Sequence, residues 1–134
     1  MATQFTPVPL LFSGAVSRGR FEIVAGTDWN DAAQLVEPVL SGGAAIDQAI
    51  DLTGTRQRLE IRPTYDYPRL IHPTASVDTG SGGILIEDAP TALVQIFVPG
   101  GVTALWPRGE WVFTWTLLKA GEARPVLRGT FVIR

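Results

Sequence analysis

Two stretches near the C-terminal end decide the fold: Gly109-Glu-Trp-Val-Phe-Thr-Trp-Thr-Leu-Leu-Lys119 and Leu127-Arg-Gly-Thr-Phe-Val-Ile-Arg134. In the first, Trp111, Phe113, Trp115 and Leu117 fall on one face. In the second, Leu127, Phe131 and Ile133 share a face, with Gly129 between them. A period of two marks a half-buried β-strand, because successive side chains leave opposite faces. The connection Lys119-Ala120-Gly121-Glu122-Ala123 is short and carries a glycine. It predicts a hairpin with a loop rather than a crossover. The aromatic face of that hairpin is the expected floor of the core.

Working outward, the same signal recurs in short pieces. Arg20 to Ala25 alternates, with Phe21 and Ile23 inward. Arg56 to Arg62 does so with Leu59 and Ile61 inward, and Pro63 ends it. Ala75 to Asp78 and Gly83 to Glu87 predict short strands. Leu93 to Val98 reads as apolar throughout, as expected of a central strand. Asn30 to Pro38 is open between a helix start and an irregular strand. Ala44 to Ile50 is weakly patterned, and Val102 to Trp106 suits one helical turn. Turn chemistry stands between these pieces at Gly26-Thr27-Asp28, Ser41-Gly42-Gly43, Asp51-Leu52-Thr53-Gly54 and Asp88-Ala89-Pro90. About seven to nine short strands at this spacing predict an all-β, Ig-like antiparallel β-sandwich. The domain is expected over residues 20–134. Residues 1–19 form an N-terminal arm or edge strand: Val8, Leu10 and Phe12 alternate, and Pro7 and Pro9 would sit on its unpaired side. An edge strand of its own sheet is the preferred reading, and an arm added to a neighbouring subunit is the alternative.

The chain has 134 residues, 46% of them hydrophobic and 18% charged. Charge that low suits a protein held against partners, and also a domain with a large core. The net charge of −2 offers nothing to neutralise a phosphate backbone, which argues against nucleic acid as a partner. Acids lead in the N-terminal half and bases follow Gly101. Such ends either meet within one monomer, the preferred reading, or complement one another head to tail between copies. With no cysteine, disulfides, thiolate metal sites and cysteine nucleophiles fall away together. Neither a signal peptide nor a membrane span is recognisable, so a soluble chain made in the cytoplasm is expected.

The search for chemistry yields little. His72, the single histidine, lies in a loop and reads as structural or solvated. No Gly-x-Ser-x-Gly elbow exists. Asp28 with Asp31, and Glu87 with Asp88, lack the ligand loop that calcium requires and read as turn-forming carboxylates. The glycine runs precede no Lys-Ser or Lys-Thr. The expectation is a protein that is not an enzyme, with no catalytic, cofactor-binding or metal-binding residues. One binding alternative stands: Trp106, Tyr65 and Tyr67 are the aromatics expected at the surface, where they could stack on a sugar.

Three patches in order carry a resemblance. They are Phe21-Glu-Ile-Val-Ala-Gly-Thr-Asp-Trp29, then Asp51-Leu-Thr-Gly-Thr55 with Leu59-Glu-Ile-Arg62, then Thr103-Ala-Leu-Trp-Pro-Arg-Gly-Glu-Trp-Val-Phe113 closing on Leu127-Arg-Gly-Thr-Phe-Val-Ile133. This succession resembles the N-terminal β-sandwich domain of siphophage upper baseplate proteins and related tail- or fibre-attachment proteins of tailed bacteriophages. Trp111 stands where that family usually has Tyr, Phe113 where it has Asp, and the stretch Pro38 to Gly43 is longer. The resemblance implies a bacteriophage virion structural protein: a tail, baseplate or fibre-attachment adaptor. It would act through protein–protein assembly, in multiple copies, in the virion and, during assembly, in the host cytoplasm. It implies other phage tail, baseplate and fibre proteins as partners, no membrane insertion and no catalytic residues. The alternative function is a carbohydrate-binding module for host-surface recognition.

Overall fold

A computed structural model describes residues 17–134. The strand expected around Val8 to Phe12 lies outside them. Ten strands form: β1 (Ser17–Ile23), β2 (Trp29–Gln34), β3 (Val36–Ser41), β4 (Ala44–Ala49), β5 (Arg56–Arg62), β6 (Ser76–Asp78), β7 (Ile84–Asp88), β8 (Leu93–Val98), β9 (Gly109–Lys119) and β10 (Glu122–Ile133). A single helical turn, α1 (Gly100–Thr103), stands between β8 and β9.

One sheet has the order β1-β10-β9-β5-β6, a second β2-β8-β7, and β3 pairs with β4 as a separate hairpin. With β2, β5, β7, β8, β9 and β10 taken as B, C, D, E, F and G, the sheets read B-E-D and C-F-G. The expected all-β sandwich is therefore what forms, with ten strands rather than seven to nine. The pairing also departs from pure antiparallel, because β1 runs parallel to β10, from Ser17 opposite Leu127 to Ile23 opposite Ile133.

The C-terminal hairpin is longer and tighter than its sequence suggests. β9 and β10 run 11 and 12 residues. Only Ala120 and Gly121 turn between them, at φ +51° and +81°. Positive φ at both central residues is the primed turn whose twist matches the strands. The ambiguous segment Asn30 to Pro38 is strand, in β2 and then β3. The long insertion is the β3–β4 hairpin, turned at Gly42 and Gly43. Ile50 N–H donates to Leu35 O and Leu52 N–H to Ala89 O, each at 3.0 Å. These bonds anchor the hairpin beside the β7–β8 turn.

Between the sheets the aromatic side chains interlock edge to face. Phe21 meets Phe113 at 4.9 Å, Trp29 meets Phe131 at 5.0 Å and Trp29 meets Trp106 at 6.3 Å between ring centroids. Phe113, Trp115 and Phe131 have no exposed surface, so the predicted inner face of the hairpin is the core floor. Trp111 is only partly buried; its indole N–H donates to Pro107 O at 2.8 Å. Gly129 lies opposite Gly19, and a Cβ there would stand 1.7 Å from Gly19 O. Only glycine lets β1 approach β10 this closely.

Candidate functional site, an uncharged outer sheet face

The sequence-predicted positions are dispersed. His72 Nδ1 lies 2.8 Å from Thr74 Oγ1 and accepts from Thr74 N–H. Asp28 accepts from Gly100 N–H at 2.7 Å, tying the β1–β2 turn to α1. Asp31 is not in a turn. It lies on β2, is 6% exposed, and accepts from Trp29 Nε1–H at 2.6 Å. Burial pushes its carboxyl above the usual carboxylate range, against the pull of that indole hydrogen bond. Among the described residues no three His, Cys, Asp or Glu side chains gather as metal ligands would.

The sugar-stacking trio does not assemble. Trp106 is 2% exposed, sits in the aromatic core and donates its indole N–H to Thr74 Oγ1. It was expected at the surface because, unlike Trp111 and Trp115, it lies on no alternating inner face. The α1 turn instead swings it inward against Trp29. Tyr65 donates to Gly129 O at 3.2 Å, and the Arg128 guanidinium lies 5.4 Å from its ring centre. That places Tyr65 against the outside of β10.

The unexpected feature is on β8. Its burial alternates strictly, with Val94, Ile96 and Val98 inward. Leu93 and Phe97 point outward, 37% and 45% exposed. Leu85 of β7, next to Gln95 of β8, is 59% exposed. On the other flank Asn30, Ala32 and Gln34 of β2 lie opposite Phe97, Gln95 and Leu93. The middle of this outer face therefore carries three large apolar side chains, amides and a methyl group, and no charge. A cleft of about 410 Å³ opens beside it, lined by Val77, Gly83, Phe97, Val98 and Val102. The sequence predicted a central strand, and β8 is the central strand of its sheet, with one of its two faces exposed.

The outside of the five-stranded sheet differs. Arg20 and Arg134 both reach Glu22, at 2.9 and 3.1 Å, and Arg62 pairs with Glu60 at 2.9 Å. Arg124 meets Glu37 at 2.7 Å. Two of these bonds, Arg134 to Glu22 and Arg124 to Glu37, join N-terminal acids to C-terminal bases within one chain, which is the preferred reading of the charge asymmetry. The guanidinium of Arg134, then that of Arg20, hold the Glu22 carboxyl below its usual range.

The strand order, the parallel β1 and the long C-terminal hairpin together define a shape that can be compared. This chain is similar to the N-terminal domain of phage TP901-1 ORF48. The TM-score is 0.51, over 87% of this chain and 85% of that one, at 10% sequence identity. Identity that low speaks to the fold. No protein-family model matches the sequence, and no curated protein sequence does.

Proposed function

We propose that this protein is a structural component of a tailed-bacteriophage virion, an adaptor in the tail, baseplate or fibre-attachment region that works by protein–protein assembly. The observation that carries the reading is the exposed, uncharged face of β8 with its neighbours. Leu93 and Phe97 flank Gln95 on the outer face of β8, Leu85 lies opposite Gln95, and no charged side chain of β2 or β8 points outward. Depletion of charge at the centre, with aromatic and aliphatic side chains there, is the composition of an interface core. The motif succession from Phe21 to Ile133 and the fold shared with a phage protein domain support the same reading. The carbohydrate-binding alternative loses Trp106, which is in the core, whereas Tyr65 and Tyr67 are exposed as expected.

The test is protein mass spectrometry of purified particles from the phage genome that encodes this chain. The chain is expected among the virion proteins, at several copies per particle. Particles complete and infectious without it would overturn the reading. A version carrying Phe97→Asp is expected to fold and to be missing from the particle.

A further inference from the structure

The stretch Pro38-Val-Leu-Ser-Gly-Gly-Ala-Ala-Ile46 carries no charged residue. It forms most of the β3–β4 hairpin, a two-stranded sheet that belongs to neither packed sheet. The base of the hairpin is fastened. Ile50 N–H donates to Leu35 O, and Arg124 pairs with Glu37 at 2.7 Å. The tip stands in water: Leu40 is 83% exposed and Ile46 49%.

The register shows how these side chains are presented. Leu40 lies opposite Ala45, and Ile46 opposite Val39. Opposed residues share a face of a hairpin, and successive residues alternate. Leu40 and Ile46 therefore project from opposite faces, so the ribbon offers an aliphatic side chain on each. Two strands alone are marginally stable in water and need a further surface to pack on. Charge is a usual guard on an exposed strand, and from Pro38 to Ile46 there is none. This is the composition of an insert.

The same molecule carries a matching receptor. The cleft of about 410 Å³ beside the outer face of β8 is walled by Val77, Phe97, Val98 and Val102, and Thr74 and Ser76 bring hydroxyls to it. None of the described residues lining it is charged. Phe97, 45% exposed, stands at its side. The volume is that of a ligand-sized pocket, ample for a leucine side chain. A charged insert would lose its hydration there and find no counter-charge, whereas an uncharged ribbon avoids that cost.

Hairpin and cleft sit at opposite ends of the sandwich. Gln34 at the end of β2 pairs with Leu93 at the start of β8, and the hairpin follows directly from there. Gly83, Val98 and Val102 stand at the far end of β8. The six residues of β8, roughly 20 Å of strand, separate the two. Leu40, as exposed as it is, does not rest in its own chain's cleft. Every copy thus brings both halves of one contact, which is what selects a second copy as the occupant. We propose that the β3–β4 hairpin of one copy docks in the cleft of a second copy, with Leu40 against Phe97 and Val102. Donor and receptor are different surfaces, so the contact is head to tail and closes into a ring or extends into a filament. This deepens the assembly reading and rests on it.

Light scattering of the full chain is expected to show multimers. Leu40→Asp and Phe97→Asp, each alone, are expected to be monomers with melting curves nearly unchanged. Mixed in equal amounts, the two variants are expected to form a dimer and grow no further, because one keeps a working hairpin and the other a working cleft. The chain has no cysteine, so engineered thiols report cleanly. Leu40→Cys chains, mixed with Val102→Cys chains and mildly oxidised, are expected to cross-link at least tenfold more than with Arg58→Cys chains, whose thiol lies on the opposite sheet. The proposal is overturned if the mixed Asp variants stay monomeric or if Leu40→Asp associates like the native chain. It is equally overturned if a Leu40→Cys/Val102→Cys double variant closes within single chains. A native chain that stays monomeric, yet is lost from particles by Leu40→Asp, would assign the hairpin to another virion protein and also overturn it. Any of these failures, with the native chain still found in purified particles, would leave the virion reading standing.

Discussion

The outer faces of the two sheets are built on the same core and differ in almost everything else. On the five-stranded sheet, Arg20, Glu22 and Arg134 interlock, Arg62 holds Glu60, and Tyr65 lies over Arg128. That face carries charges, several of them paired with one another. On the three-stranded sheet, Leu85, Leu93 and Phe97 stand exposed with no ion pair among them. Exposed apolar residues are ordinary when scattered, and informative when they adjoin on one face. The contrast sets an exposed apolar face against one that carries ion pairs.

The comparison presumes one shared core, and the largest effect tests that. Trp115→Ala is expected to cost about 3–5 kcal/mol in a denaturant melt, because the ring is fully buried over the floor of both sheets. A loss below about 1 kcal/mol would put the hairpin face the wrong way round. Next, Gly129→Ala is expected to cost about 1–3 kcal/mol or more by forcing β1 off β10. Hydrogen exchange in β1 should rise ahead of that in β9.

Smaller effects separate the faces themselves. Phe97→Asp is expected to change folding stability by only about 0.5 kcal/mol while abolishing association, whereas Arg58→Ser on the opposite face should leave association intact. Equal losses from both would erase the distinction. Beneath the uncharged face lies Asp31, whose folded-state pKa is raised by burial. Its contribution is full below the ordinary carboxylate pKa and lost as pH rises through the folded-state value. Asp31→Asn should flatten that slope and exceed the native chain in stability at neutral pH, by denaturant titration from pH 4 to 8. The smallest effect belongs to Glu22, exposed and held low by Arg134 and Arg20. Its contribution is present above the unfolded-state pKa, disappears as pH falls through the folded value, and should fade with added salt.

Periodicity alone determined the sandwich. Phe21, Leu59, Phe113, Trp115 and Phe131 could be assigned inward because a strand's two faces are separated by a period of two. Turn residues, from Asp51, which accepts from Thr53 N–H, to Gly42 and Gly43, marked where strands end. Three things waited for the tertiary structure, and each depends on neighbours distant in sequence. Strand β1 runs parallel to β10 because Gly19 and Gly129 permit the approach, a pairing across more than a hundred residues that no local pattern encodes. Trp106 is core rather than surface because α1 turns it onto Trp29. The run Leu93 to Val98 is the central strand its composition suggests, but which of its faces is buried depends on what packs against the sheet. Only the sheet order reveals that one side of β8 was left for something else.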